Sequence, residues 1–161
     1  MPLDRQWIAE HIPHQGQMHL LDAVEQWDEN TITCRATSHR CETLPLRAHG
    51  RLGAACGIEY AAQSMAVHNA LSCLKTGESD TARLGYLISV REVALHVSRL
   101  DDIACDLKIK AEKLADKGSV LYHFTVMAAN CVLLEGRVAL LLGVNGLAAE
   151  PFLQASLTTL E

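Results

Sequence analysis

Between Gly53 and Gln63 the chain reads Gly-Ala-Ala-Cys-Gly-Ile-Glu-Tyr-Ala-Ala-Gln, small and apolar residues with a single carboxylate, Glu59, among them. The helical pattern runs from about Leu52 to Leu74 and closes at Lys75-Thr76-Gly77. A helix that is apolar on most sides has to be enclosed. In a chain of 161 residues, only a sheet curled around the helix can enclose it. The expected architecture is α+β, with one long central helix wrapped by an antiparallel sheet.

The flanking segments supply that sheet. Asp4 can cap a short helix that runs through His11 and stops at Ile12-Pro13, and His14-Gln15-Gly16-Gln17 reads as a turn. Leu20 to Gln26 and Thr31 to Thr37 form the arms of a hairpin around Asp28-Glu29-Asn30; Ile32, Cys34 and Ala36 alternate with Thr31, Thr33 and Arg35. Ser38 to Arg51 is irregular. After the central helix, strands are expected over Arg83 to Val97 (bent near Glu92), Ile103 to Leu114, Val120 to Ala129 and Val132 to Leu142, with turns at Lys117-Gly118 and Ala129-Asn130. Residues 1–161 read as one domain, with a core of about 8–142 and a weakly patterned tail over 146–161.

A formal net charge of −5 without a basic cluster argues against nucleic acid or an anionic membrane surface as partner. No apolar run approaches the ~20 residues of a membrane span, and the first residues lack the apolar core of a secretory signal. The six cysteines form no C-x-x-C pair. They read as small buried thiols in a reducing cytoplasm, not as a disulfide framework or a metal site.

Glu59 carries the main chemical question. It shares a helix face with Gln63, Ala66 and Ala70, while Ile58, Ala62 and Met65 form a neighbouring face suited to packing on the sheet. A carboxylate there either lies on the wet face and complements the helix dipole, or is kept for chemistry in an apolar slot that would hold it protonated. His39 and His49 sit in the irregular segment just before the helix and could swing beside it; His14, His19, His68, His96 and His123 read as structural, and no histidine spacing fits a metal pattern. Arg83, Arg91 and Arg99 recur every eight residues and would share a sheet face if the strand were continuous.

The chain resembles the hot-dog-fold 3-hydroxyacyl-acyl-carrier-protein dehydratases, most closely their aryl-polyene (ApeP-like) branch. The resemblance covers about residues 8 to 142. Ile12-Pro13-His14 with Leu20-Leu21-Asp22-Ala23-Val24 is similar to the family's opening, and Gly57-Ile58-Glu59-Tyr60-Ala61-Ala62-Gln63 to its central-helix motif. Arg83-Leu84-Gly85-Tyr86-Leu87 is similar to the family's following strand, with Arg99-Leu100-Asp101-Asp102 in place of a Pro-Gly-Asp turn. The segment from His39 through Pro45-Leu46-Arg47 to Gly50-Arg51-Leu52 departs from the general family and matches the aryl-polyene branch.

That resemblance implies removal of water from a 3-hydroxyacyl thioester to give a trans-2-enoyl thioester. It implies Glu59 as acid and His39 as base, with His49 as the alternate. Gly53, Gly57 and Gln63 would bind substrate, Gly53 to Gly57 by presenting backbone N–H groups to the thioester oxygen. No metal or organic cofactor is implied, since the carrier supplies the phosphopantetheine arm. The expected partners are an acyl carrier protein and further copies of the chain, as a homodimer or a trimer of dimers. Two rival readings are a hot-dog acyl thioesterase and a non-catalytic acyl-binding module.

Overall fold

The computed structural model describes residues 2–77 and 86–141. The start of the expected strand at Arg83 and the tail over 146–161 lie outside the described residues. Helix α1 spans Arg5–His11, and the Asp4 carboxylate accepts a hydrogen bond from Trp7 N–H at 3.0 Å, satisfying one free donor of the first turn. Trp7 and Ile8 are buried.

Six strands follow: β1 (Ala23–Trp27), β2 (Thr31–Ala36), β3 (Tyr86–Leu95), β4 (Leu107–Lys117), β5 (Ser119–Ala128) and β6 (Cys131–Leu141). They form one antiparallel sheet in the order β1-β2-β4-β5-β6-β3. Strict alternation sets the sheet's inner face: Val120, Tyr122, Phe124, Val126 and Ala128 of β5 are buried. Ala129 and Asn130 both take left-handed conformations, the backbone that a tight hairpin between twisted strands requires.

The central helix α2 spans Gly57–Thr76, entered through a 3-10 turn at Ala54–Cys56 and closed by Gly77 at φ 75°. Its buried side chains include Tyr60, Ala61, Ser64, Met65, Val67, His68 and Leu71. The helix is rotated from the expected orientation, since of Ile58, Ala62 and Met65 only Met65 is fully buried. Gly57 explains the close approach of helix to sheet, because a Cβ there would lie 2.5 Å from Leu134 Cδ2 on β6.

The two edges of the sheet differ. β1 is covered by the N-terminal segment, through an Asp4–Ala23 bridge and a hydrogen bond from Val24 N–H to the Leu3 carbonyl at 2.9 Å. β3 pairs only with β6 among the described strands, and Leu87, Ile88, Val93 and Leu95 are exposed on it. Its bend lies where expected, with Glu92 at φ 54° and a register shift between Arg91 and Ala94. This bulge breaks the spacing that would have aligned Arg91 with Arg99, and Arg99 is instead held by Asp101 beyond the strand. None of the six cysteines, all among the described residues, is in a disulfide; Cys34 and Cys73 are buried as expected, whereas Cys41, Cys105 and Cys131 are exposed.

Candidate active site

Glu59 lies in the first turn of α2, with its side chain one third exposed. Its Oε1 is 3.0 Å from His14 Nε2 and accepts a hydrogen bond from Gln63 Nε2 at 3.1 Å. The Glu59–Gln63 contact follows from the four-residue spacing on one helix face. The His14 contact is tertiary. After α1 ends at Ile12, the chain turns through a 3-10 turn at Gly16–Met18 and runs back across α2.

That crossing segment is fixed from both sides. Gln63 is buried, accepting from Leu20 N–H at 3.0 Å and donating to the Met18 carbonyl at 2.7 Å. Arg5 donates to the His19 carbonyl at 3.0 Å. Ser38 donates its hydroxyl to the Leu20 carbonyl at 2.8 Å, so at its 2.8 Å contact with Tyr60 the Tyr60 hydroxyl is the donor.

The electrostatics of Glu59 differ from those of a dry slot. The His14 hydrogen bond, assisted by that from Gln63, lowers its pKa below the ordinary carboxylate value against the opposing effect of burial. In the resting site Glu59 is therefore a carboxylate, not the protonated acid expected from its apolar neighbours. His14 donates from Nε2 to that carboxylate, and His14 Nδ1 is buried without a partner. The arrangement is an imidazole and a carboxyl group in hydrogen-bond contact, the two kinds of group that general acid–base chemistry uses.

The structure pairs Glu59 with a different histidine from the two singled out in the sequence. His39 is fully buried in the 3-10 turn Ser38–Arg40, where its Nε2–H donates to the Ile103 carbonyl at 3.0 Å; burial also lowers its pKa. His49 is exposed at φ 53°, in the turn between Ala48 and Arg51. The signal for His14 was present in the Ile12-Pro13-His14 motif, but a strand-start histidine looks structural until the loop is seen crossing the helix.

The three expected substrate-binding residues divide. Gln63 commits its amide to Leu20, Met18 and Glu59. Gly57 is buried against Leu134, so its lack of a side chain serves packing. Gly53 is exposed. Of the helix-entry N–H groups, that of Ala54 donates to the Ser98 carbonyl at 3.1 Å, that of Cys56 to Gly53, and that of Gly57 to the carbonyls of Ala54 and Ala55. Gly53 and Ala55 are the candidates left in this stretch to meet a thioester oxygen. Among the described residues no group of three or more His, Cys, Asp or Glu side chains is arranged to hold a metal.

The ApeP-like family model, described as ApeP dehydratase, matches residues 6–145. The chain belongs to the ApeP-like dehydratase family. The dehydratase is similar in structure to the dehydratase heterocomplex ApeI:P from Xenorhabdus doucetiae, with 26% identity, a TM-score of 0.76 and coverage of 91% of this chain and 93% of that one. It also shares its fold with a thioesterase from Haemophilus influenzae, with 10% identity, a TM-score of 0.53 and coverage of 76% and 78%. Among curated proteins, no sequence matches it. The dehydratase thus has a hot-dog fold, and no helix among its described residues is long and apolar enough to cross a membrane.

Proposed function

We propose that the chain dehydrates 3-hydroxyacyl thioesters carried on an acyl carrier protein, without metal or organic cofactor, using His14 and Glu59 as its acid–base pair. The observation that carries this reading is the 3.0 Å contact between His14 Nε2 and Glu59 Oε1, both on partly exposed side chains. The imidazole of His14 takes the proton from C2 while Glu59 gives a proton to the hydroxyl leaving C3, and water departs. Two groups in direct contact act on one face of the substrate, which suits a syn elimination. Substrate displaces water from the partly exposed Glu59, favouring its protonated form. After turnover the proton on His14 returns to Glu59 through solvent.

A second hot-dog chain would add to the open edge of β3. It is a copy of this chain or, as in the X. doucetiae heterocomplex, a different subunit, and the mass of the purified chain in solution distinguishes the two. Six cysteines outside any disulfide suit a reducing cytoplasm.

The test is incubation with a trans-2-enoyl carrier-protein thioester, read by intact mass. Gain of one water with the thioester retained supports the proposal. Release of free acid would indicate a thioesterase, and unchanged acyl carrier held in a complex would indicate a binding module.

A further inference from the structure

Ser89, Ala139, Leu121 and Ala115 are register partners across β3, β6, β5 and β4. Side chains directly opposite one another share a face of the sheet. The residues alternating with them on β5 and β6, Val120, Tyr122, Val138 and Leu140, are buried, so this row faces outward, away from α2. Three of its four side chains are small, and the row forms the floor of a cleft of about 420 Å³. That volume falls within the range of small-molecule sites.

Cations stand on both sides of this floor. Two residues along the strands in one direction, Arg91 and Arg137 lie directly opposite each other; in the other direction Lys117 lies opposite Ser119. All four border the cleft, together with Glu92. Like charges in direct register cost a sheet stability, and Glu92 offsets only one of them, meeting Arg137 Nε at 3.1 Å. Among the described residues Arg91 and Lys117 have no ion-pair partner. Asp116 turns instead to Lys113 at 3.7 Å, and Glu112 lies two strands from Arg137, opposite His123. Three cations thus face the cleft against one carboxylate.

We propose that this outer cleft binds an organic phosphate monoester, its phosphate gripped by Arg91 and Arg137 and its apolar body lying on Leu121, Ala139 and Ala115. A dianionic phosphate neutralises the two charges that the register sets side by side, and its three terminal oxygens suit two converging guanidinium groups. Arg137 spends its Nε on Glu92 and keeps its terminal N–H groups for the ligand. The floor beside the arginines is too apolar and the cleft too large for a lone inorganic anion to fill. The sheet separates the cleft from α2, so its occupant is distinct from any substrate at Glu59.

The experiment titrates the whole chain calorimetrically with phenyl phosphate, inorganic phosphate and phenol, at a pH above about 6, where a phosphate monoester is a dianion. Phenyl phosphate should saturate one site per chain, inorganic phosphate should bind more weakly, and phenol should not bind. Arg91→Gln and Arg137→Gln should each weaken phenyl phosphate roughly tenfold or more, the effect of losing a hydrogen bond to a charged group. Lys110→Gln is the control: Lys110 is exposed on the outer face of β4, between buried Ile109 and Ala111, but does not border the cleft. That variant should bind as the parent does. Ligand-free Arg91→Gln, relieved of a like-charged neighbour, should melt no lower than the parent, and Lys117→Gln stands in for it if it does. Absence of saturation by phenyl phosphate overturns the proposal. Equal binding of inorganic phosphate overturns the assignment of an organic ester, and an equal loss in Lys110→Gln would reduce the site to diffuse charge attraction.

Discussion

His68 and Tyr122 meet inside the core, with Nδ1 2.7 Å from the phenol oxygen. His68 Nε2–H donates to the Asp28 carbonyl at 2.7 Å. A neutral imidazole has one hydrogen, so Nδ1 is an acceptor and Tyr122 the donor. Burial lowers the pKa of His68 and raises that of Tyr122, which keeps both neutral. The contact ties the middle of α2 to β5 and, through Asp28, to the β1–β2 turn. Replacing Tyr122 with Phe strips a buried acceptor of its partner and should cost about 1–3 kcal/mol, measured by denaturant unfolding, with turnover per folded molecule unchanged.

His19, His39 and His68 all have their pKa lowered from 6.5, with burial as the largest cause. For a histidine whose folded pKa is depressed, the unfolded chain binds protons first as pH falls. Stability is therefore full above about 6.5 and declines below it. Thermal scans should show Tm dropping steadily between pH 7 and pH 5. Removing His68 together with its partner, as His68→Leu with Tyr122→Phe, should flatten part of that slope.

Glu59→Gln keeps the side-chain volume and removes the proton donor of the proposed pair. Turnover should fall by roughly 10²- to 10⁴-fold, the range for loss of a general acid, while the melting curve stays close to that of the parent. His14→Asn should produce a loss of the same order. The two losses should be far from additive in the double variant, since the groups act as a unit. His49→Ala, at an exposed turn, should leave the rate unaltered.

At Gly57 a methyl group would press into Leu134, which is wholly buried and has little room to retreat. Gly57→Ala should destabilise the protein by about 1–3 kcal/mol, the usual cost of overpacking, readable as a lower denaturant midpoint. Gly53 has open space around its Cα, and Gly53→Ala should leave that midpoint nearly unchanged.

The fold was legible because its signals are local. Ile32, Cys34 and Ala36 alternate as a half-buried strand must, Gly77 closes the central helix, and Glu92 marks the bend in β3. Glu59 was legible for a similar reason, as a charge amid residues that shun water. The identity of its partner was not. His14 reaches Glu59 because polar bonds from Gln63, Ser38 and Arg5 fasten a loop across the helix. Hydrophobic periodicity does not record such bonds. The same blindness misread Gly57, since spacing reveals that a residue is small but not what stands opposite it.

Among the described residues the edge of β1 is covered and that of β3 is bare, which sets a limit on assembly. A chain that joins another through β3 uses up its open row of backbone donors and acceptors, and the enlarged sheet then presents only its two capped margins. Growth by strand addition would stop at a pair. The N-terminal residues Leu3 and Asp4, far from Glu59 in their task, occupy the edge by which such a sheet would otherwise go on adding strands.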